Sequence, residues 1–372
     1  PFLARSRADL RASSWPATAT SVRTLPATLL EPGRGPAMAP AAAPAAEELC
    51  AALGRALAPE GRAEADAAPA LRAACEFLEA EAGAGPLLSA LLGADVPALL
   101  LAAAPSLEFE AQKLAARLCS GVLRAGCGEE RLSKSVSAYL CDSPSVAELL
   151  LRGSCDEALT FLCGELLLLG ARDAGFARVL LGRGAAARLL AAAASPAAIE
   201  VKATALACLR GLLLESGDAA PEHLEEHENF RRFFSEYHKL VTDEVLLVQR
   251  QAQDLLAHVL LSPQFCAVRT TYTSSALCLK LQMSLLQHPV ASVRLGAFHV
   301  FKIFVANPYK KRNVQALLYR NREQLAHILR GLRALKEVDD SCSADLAAVS
   351  AALLDLAAPP SVFRAGRPAG LR

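Results

Sequence analysis

The residues of this chain that come closest to a reactive arrangement are residues 223–227, which read His-Leu-Glu-Glu-His. They fit the pattern H-x-x-E-H of one class of zinc hydrolases. On one continuous helix His223 and His227 would lie on the same side and share a zinc ion, with Glu226 as general base. The alternative is an acidic helix start after Pro221, since carboxylates are favoured near the positive end of a helix dipole. A motif with three fixed residues arises easily by chance, so we rank the zinc hydrolase hypothesis last.

The rest of the sequence lacks the motifs of common enzymes and cofactor sites. It has no G-x-S-x-G elbow, no glycine-rich phosphate loop and no acidic loop of the EF-hand type. Lys and Arg number 39 and Asp and Glu 38, so a net charge of +1 gives no overall attraction for nucleic acid. We therefore predict a protein that is not an enzyme, needs no cofactor or metal, and does not bind nucleic acid.

Cysteine usage and one apolar segment bear on the compartment. The 11 cysteines are scattered without a C-x-x-C pair, and several occupy apolar positions, where Cys acts as a small apolar side chain. This usage is typical of a reducing compartment, so we expect a cytoplasmic protein.

The apolar residues 82–107 are divided by Pro86, Pro97 and Pro105 into pieces shorter than the roughly 20 residues of a bilayer crossing. We predict two short buried helices there and no membrane insertion.

Both ends of the chain differ in composition from its centre. Residues 1–45 are rich in Pro, Ala, Ser and Arg without apolar periodicity, so we predict disorder there, and residues 358–372 form a flexible tail. Met38 lies just before the region where helical patterning starts. One interpretation is that residues 1–37 do not belong to the mature protein. The alternative, an organelle transit peptide, agrees with the excess of Arg, but no amphipathic helix supports it. Residues 46–357 remain as the folded domain.

A single pattern recurs within this domain, an Ala followed by apolar residues three, four and eight positions later. Its instances are spaced by 45 to 47 residues and begin at Ala111, Ala158, Ala205, Ala252 and Ala297. These offsets place the apolar side chains on one side of an α-helix. A period of about 47 residues is typical of HEAT and armadillo repeats.

The repeat and the composition together predict the fold. Aromatic residues make up only 5% of the chain, and Ala and Leu dominate its apolar residues, as expected of helices. Each repeat has room for two or three helices, whose apolar sides are covered only by stacking on the next repeat. We predict an all-α fold, an armadillo/HEAT-like right-handed helical-repeat solenoid. Its clearest helix follows Pro289, spans 290–305 and stops at Asn307-Pro308.

Two runs of residues resemble a known family. Residues 233–237 read Phe-Phe-Ser-Glu-Tyr, and residues 297–308 read Ala-Phe-His-Val-Phe-Lys-Ile-Phe-Val-Ala-Asn-Pro. Both are similar to signatures of the calcium-binding protein 39 family, the mouse-protein-25-like kinase scaffolds. The likeness stays in register to about Leu335, and upstream it is limited to Phe109-Glu110 and residues 149–169. It suggests a diverged member of the family.

The resemblance implies a cytoplasmic armadillo-like scaffold that binds no calcium. Proteins of this family bind Sterile-20-related Ser/Thr kinases or pseudokinases and hold them in an active conformation, including in a ternary complex with a second kinase. A C-terminal groove takes the Trp-Glu-Phe tail of the partner, and a concave face holds the kinase lobe. The runner-up hypothesis is a general helical-repeat adaptor that binds other peptides and has no effect on kinases.

The family's peptide-binding positions fall on six residues of this chain, which are Leu246, Arg250, Phe265, Lys280, Met283 and Arg320. Cations suit the peptide's Glu and terminal carboxylate, and the thioether of Met283 suits its aromatic rings. The chain departs from the family where Leu246 replaces an aromatic residue and where the loop at Phe265 lacks a basic residue. A further departure is Ile199-Glu200, at the position of an aromatic-acidic pair on the concave face.

Overall fold

The computed structural model describes residues 42–57, 67–80, 84–125, 130–335 and 338–359, which belong to one compact unit. Within these ranges the regular structure consists of α-helices and two 3-10 turns, Ala104–Ser106 and Pro263–Phe265, with no strand. The helices are α1 (Ala42–Ala56), α2 (Ala67–Glu79), α3 (Ala84–Gly93), α4 (Val96–Ala103), α5 (Phe109–Ala125), α6 (Glu130–Asp142), α7 (Pro144–Gly153), α8 (Thr160–Gly170), α9 (Ala174–Gly182), α10 (Ala185–Ala194), α11 (Ile199–Leu214), α12 (Ala219–Glu225), α13 (His227–Val241), α14 (Leu246–Leu261), α15 (Cys266–Thr273), α16 (Ala276–Leu285), α17 (Ala291–Ala306), α18 (Arg312–Arg333) and α19 (Asp340–Leu354).

The helices stack in a regular order that confirms the predicted all-α repeat fold. Every third helix packs on the next of its kind, so α2, α5, α8, α11, α14 and α17 form one continuous row, here called the ladder. A second row joins α3, α6, α9, α12 and α15 in the same way. Each repeat therefore contributes three helices, and its apolar sides are covered by its neighbours, as expected of an armadillo-like stack.

Four of the five predicted repeat instances lie on ladder helices and point into the core. Ala205, Ala252 and Ala297 are 0% exposed, and Ala111 is 3% exposed. The instance at Ala158 is only half right. Ala158 is exposed and precedes α8, and the side chain of Phe161 is 81% exposed. Leu162 and Leu166 are buried as predicted, but the other core positions are Cys163 and, just before α8, Leu159, so the pattern had partly matched Leu-rich sequence in the wrong register.

Small residues allow ladder helices to approach closely. A Cβ atom added at Gly211 of α11 would lie 2.6 Å from Cδ2 of Leu168 on α8. A Cβ atom at Gly296 of α17 would lie 2.8 Å from Cγ of Gln253 on α14. Real Cβ atoms do not come this near, so a larger residue at either glycine would force the facing side chain of Leu168 or Gln253 to move.

Helix ends follow the local signals in the sequence. The Asp173 carboxylate accepts a hydrogen bond from the Phe176 backbone N–H at 2.7 Å and so caps α9. Ser275 caps α16 through the backbone N–H of Cys278 at 3.3 Å. The predicted helix after Pro289 is confirmed as α17, which ends before Asn307.

The boundaries of the folded part partly overlap the prediction. α1 begins at Ala42, four residues before the expected start. Residues 1–41 and 360–372, which contain most of the predicted disordered segment and tail, lie outside the described residues.

The apolar stretch at residues 82–107 forms two short helices, as predicted, with Leu87, Leu91 and Leu100 buried. α3 and the helical segment that follows it bend by 65° at Asp95, whose φ is 53°. Together this pair has the length and apolar composition of a membrane span, but no single helix in the described ranges does.

Ion pairs link successive repeats along much of the stack. Arg117 of α5 pairs with Glu79 of α2 at 2.7 Å, and Arg210 of α11 pairs with Asp254 of α14 at 3.1 Å. Similar pairs join Arg172 to Glu215, Arg178 to Glu222 and Arg188 to Glu148. The partners are 38 to 44 residues apart, close to one repeat. These surface cations are therefore neutralised within the protein.

Candidate partner-peptide site

The candidate site is carried by neighbouring helices of the C-terminal third. Leu246 and Arg250 lie in the first two turns of α14, and Lys280 and Met283 lie on α16. Arg320 lies on α18, which packs on α16, and both α14 and α16 pack on α17. Five of the six predicted residues thus belong to adjoining elements.

Phe265 differs from the other five predicted residues because its side chain is 0% exposed. It lies in the 3-10 turn between α14 and α15 and is part of the hydrophobic core. The side chain does not reach the surface, so it supports the site from below rather than facing a partner. The surface of the site consists of Leu246, Arg250, Lys280, Met283 and Arg320.

A buried pair of amides joins the two main helices of the site. Gln253, one turn after Arg250, donates from Nε2 to Oε1 of Gln282 at 2.6 Å. Gln282 lies between Lys280 and Met283 in the sequence, and both glutamines are at most 1% exposed. A hydrogen bond in such a dry place is directional and holds the two helices in a fixed register. This bond therefore fixes the position of Arg250 relative to Met283.

The same amide pair is only half satisfied. Oε1 of Gln253 and Nε2 of Gln282 are buried and have no hydrogen-bond partner among the described residues. An unpaired buried polar atom costs about 1–3 kcal/mol. Sequence reasoning missed both residues, because an isolated Gln on a helix carries no signal of its burial.

The cations of the site lack partners within the protein. Arg250, Lys280 and Arg320 are exposed, and none of them forms an ion pair with any residue that the structure describes. Local sequence does not decide this, because Asp254, four residues after Arg250, pairs with Arg210 instead, and Lys302 in the acid-free stretch 255–322 pairs with Asp345. The site is thus a cationic surface open to a carboxylate from outside.

Apolar side chains lie beside these cations. Leu246 is 40% exposed and Leu247 is 44% exposed at the start of α14. Met283 is partly buried and packs against the core. Leu277, one turn before Lys280 on α16 and outside the predicted peptide surface, is 77% exposed. Cations next to exposed aliphatic surface suit a ligand that is both acidic and apolar.

An aromatic cluster beneath α14 supports the site. The Tyr237 hydroxyl donates to the backbone oxygen of Ala252 on α14 at 2.7 Å. The rings of Phe234 and Tyr272 lie 5.0 Å apart, and those of Tyr272 and Phe304 lie 5.8 Å apart. His238 Nε2 is 3.2 Å from the Tyr272 hydroxyl, and burial lowers the pKa of His238 to about 4. The imidazole is therefore neutral at pH 7 and forms part of the core.

The His-Leu-Glu-Glu-His segment does not take the geometry that the zinc hypothesis requires. α12 ends at Glu225, Glu226 is extended, and α13 begins at His227. The two histidines are therefore on different helices and not on one side of a single helix. Asn229 donates to the backbone oxygen of His223 at 3.1 Å and to the Glu226 carboxylate at 2.9 Å, which ties the break together. This motif is a structural connection, and the prediction of a shared helical face is wrong.

Comparison with known proteins identifies the family. A sequence model described as Mo25-like matches residues 75–356 of this chain. The chain belongs to the Mo25-like family. The match extends well upstream of the two runs that carried the resemblance.

Individual Mo25-like relatives agree with this assignment. The Mo25-like protein of Schizosaccharomyces pombe is 28% identical over 66% of this chain and 73% of its own length. The human protein calcium-binding protein 39-like is 28% identical over 66% of this chain and 71% of its own length. A designed armadillo repeat protein covers 69% of this chain with 14% identity and a TM-score of 0.41, a level that supports no conclusion by itself. Membership in the Mo25-like family indicates a scaffold-type, non-catalytic protein.

Proposed function

We propose that this protein is a scaffold that binds a Sterile-20-related kinase or pseudokinase and stabilises its active conformation. The surface formed by Leu246, Arg250, Lys280, Met283 and Arg320 would bind a partner peptide that ends in Trp-Glu-Phe or a similar sequence. The observation that carries the proposal is the group of exposed cations beside Met283 that have no ion-pair partner among the described residues. Their helices are held together by the buried hydrogen bond between Gln253 and Gln282. The ten described cysteines are all free thiols, which fits a cytoplasmic location.

The chemistry of the surface matches such a peptide. A guanidinium and an ammonium group suit the peptide's Glu side chain and its terminal carboxylate, since hydrogen bonds between charged groups are stronger than neutral ones. The thioether of Met283 is polarizable and adapts to an aromatic ring. Stabilisation of the active kinase follows if the scaffold binds the active conformation more tightly than the inactive one.

Calorimetric titration with a peptide ending in Trp-Glu-Phe tests this proposal. We expect a dissociation constant near the micromolar range, about −8 kcal/mol. Met283→Ala and Arg250→Ala should each weaken binding, and a peptide with Gln in place of Glu and an amidated end should bind poorly. If the folded wild-type protein binds neither peptide, the site has lost the family's ligand and the general adaptor hypothesis takes its place.

Activation needs its own experiment, because binding a tail does not by itself change a kinase. A Sterile-20-related kinase is assayed with and without saturating scaffold, and again in the presence of excess Trp-Glu-Phe peptide. We expect scaffold to raise the kinase activity and the peptide to reduce this effect. Tight binding without a change in activity would support the adaptor hypothesis instead.

A further inference from the structure

The candidate site continues along α16 beyond the predicted residues. Leu277, Lys280 and Ser284 are exposed at offsets of three and four residues, so they share one side of the helix. Leu277 is 77% exposed, which is unusual for a large aliphatic side chain on a helix with a buried opposite side. The surface beside Met283 thus leads along α16 to an unprotected leucine at the start of the helix.

The loop between α17 and α18 is joined to this end of α16. Nδ2 of Asn307 donates to the hydroxyl of Thr273 at 3.1 Å. Thr273 is the last residue of α15, three residues before α16 begins. The Asn307 carboxamide oxygen accepts from the Tyr309 backbone N–H at 2.9 Å, and its backbone oxygen accepts from Lys310 Nζ at 2.6 Å. Asn307 therefore fixes the shape of residues 307–310 and holds them near the start of α16.

This loop presents an aromatic ring and cations. The Tyr309 side chain is 87% exposed, the largest exposure among the large apolar side chains of the described residues. Lys311 is exposed, while Lys310 is half-buried and hydrogen-bonded to Asn307, and burial lowers its pKa. Lys311 forms no ion pair with any residue in the described ranges. An exposed ring and aliphatic side chain next to this cation suit a ligand that is apolar and anionic.

We propose that Leu277, Tyr309 and Lys311 form a second subsite, which binds the segment of the partner chain adjoining the tail peptide. This inference rests on the proposed function and adds the composition of the partner segment. That segment contains an apolar residue with an anionic residue before or after it. The anion is a carboxylate or a phosphate, since both offer oxygen acceptors to Lys311.

Helix geometry sets the length of peptide required. Met283 and Leu277 are six residues apart, which is about 9 Å along a helix. An extended chain advances about 3.3 Å per residue, so about three residues lead from one anchor to the other. A partner peptide must therefore extend at least about three residues beyond its terminal tripeptide to reach Leu277, and further to reach the loop.

The experiment compares a short and a long peptide by calorimetric titration against the full chain. The short peptide ends in Trp-Glu-Phe, and the long one adds eight residues with one Leu and two Asp. A third has phosphoserine in place of Asp, and a fourth has Ser and Asn at the added Leu and Asp positions. We expect the long acidic peptide to bind at least tenfold more tightly than the short one and the fourth to bind like the short one. Whichever of the carboxylate and phosphate peptides binds more tightly identifies the source of the anion.

Variants locate the effect. Leu277→Ser with Lys311→Glu should remove the advantage of the long peptide and leave the affinity of the short peptide unchanged. Arg183→Glu, an exposed cation on another part of the stack, is the matched control and should change neither. Far-ultraviolet circular dichroism confirms that each variant is folded.

The outcomes separate this inference from the proposed function. Equal affinity for the short and long peptides would overturn the second subsite while keeping the proposed site. A tighter long peptide whose advantage survives in the Leu277→Ser, Lys311→Glu variant would also overturn it. If no peptide binds, both fail. Binding to phosphatidylserine vesicles that depends on Tyr309 and Lys311, without any gain for the long peptide, would show that the loop binds a membrane surface and not a partner chain.

Discussion

The repeats up to α11 and the region from α13 to α18 are built on the same stacking plan but differ in both core and surface. In the first, the core is dominated by Leu, Ala and Cys, and Phe176 is its one fully buried large aromatic residue within the described ranges. In the second, rings such as Tyr237, Tyr272 and Phe304 fill the core, and Gln253 and Gln282 are buried with them. The aliphatic repeats extend the stack, and the aromatic region carries the residues of the proposed partner site.

The surfaces of the two regions differ in how their charges are compensated. Arg117, Arg172 and Arg210 each pair with a carboxylate about one repeat away, whereas Arg250, Lys280 and Arg320 have no such partner among the described residues. A cation paired internally offers little to a partner, because binding would first have to break the pair. Cations without an internal partner remain available, and we propose that this contrast separates structural charge from functional charge.

The largest effect on stability is expected from His238, a half-buried histidine of the aromatic region. Burial lowers the pKa of His238 to about 4, below the value of about 6.5 in an unfolded chain. Between these values the unfolded chain binds more protons, so stability is complete above about pH 6.5 and falls as the pH drops towards 4. The shift is worth on the order of 3 kcal/mol. Urea unfolding at pH 7.5 and pH 5 should show a smaller difference for His238→Gln than for the wild type. An equal loss of stability between pH 7.5 and pH 5 in the wild type and in His238→Gln would show that His238 is not the source of the pH dependence.

The buried amide pair gives the next effect. Gln253→Leu alone leaves Gln282 buried without its partner and should cost about 1–3 kcal/mol. Replacing both, as Gln253→Leu with Gln282→Met, removes the unpaired polar atoms as well and should recover most of that loss. Chemical unfolding of the wild type, Gln253→Leu, Gln282→Met and the double variant forms a double-mutant cycle. Losses that simply add would mean that the two amides do not act as a pair.

The paired charges of the ladder should matter least. Arg210 and Asp254 are 43% and 59% exposed, so breaking their pair with Arg210→Ala should cost between about 0 and 1 kcal/mol. The effect should shrink in high salt, because solvent screens exposed charges. A loss above about 2 kcal/mol in thermal unfolding would contradict the view that these pairs only neutralise the surface.

Sequence reasoning captured the fold better than the site. Helical periodicity and a repeat of about 47 residues were enough to predict the stack, since burying one side of each helix leaves few alternatives. The instance at Ala158 was only half right because Leu-rich sequence matches a helical pattern in more than one register. The motif at residues 223–227 also placed His223 and His227 on one helix, although α12 ends before Glu226 and α13 begins after it.

The site was predicted only through family resemblance, and its supports were not. Burial of Phe265, Gln253 and Gln282 depends on neighbours far away in the sequence, which a local pattern cannot reveal. The lack of internal partners for Arg250 also depends on the stack, because Asp254, four residues after it, pairs with Arg210 of the preceding repeat. Pairing across repeats becomes visible only once the helices are packed.

The central claim is that unpaired cations mark the partner site, and charge reversal at matched positions tests it most directly. Arg250→Glu with Lys280→Glu is compared with Arg210→Glu in titrations with the Trp-Glu-Phe peptide, after unfolding curves confirm that both proteins are folded. We predict at least a hundredfold loss of affinity in the first protein, about 2.7 kcal/mol, and a change of less than threefold in the second. Similar losses in both proteins, or none in the first, would contradict the claim.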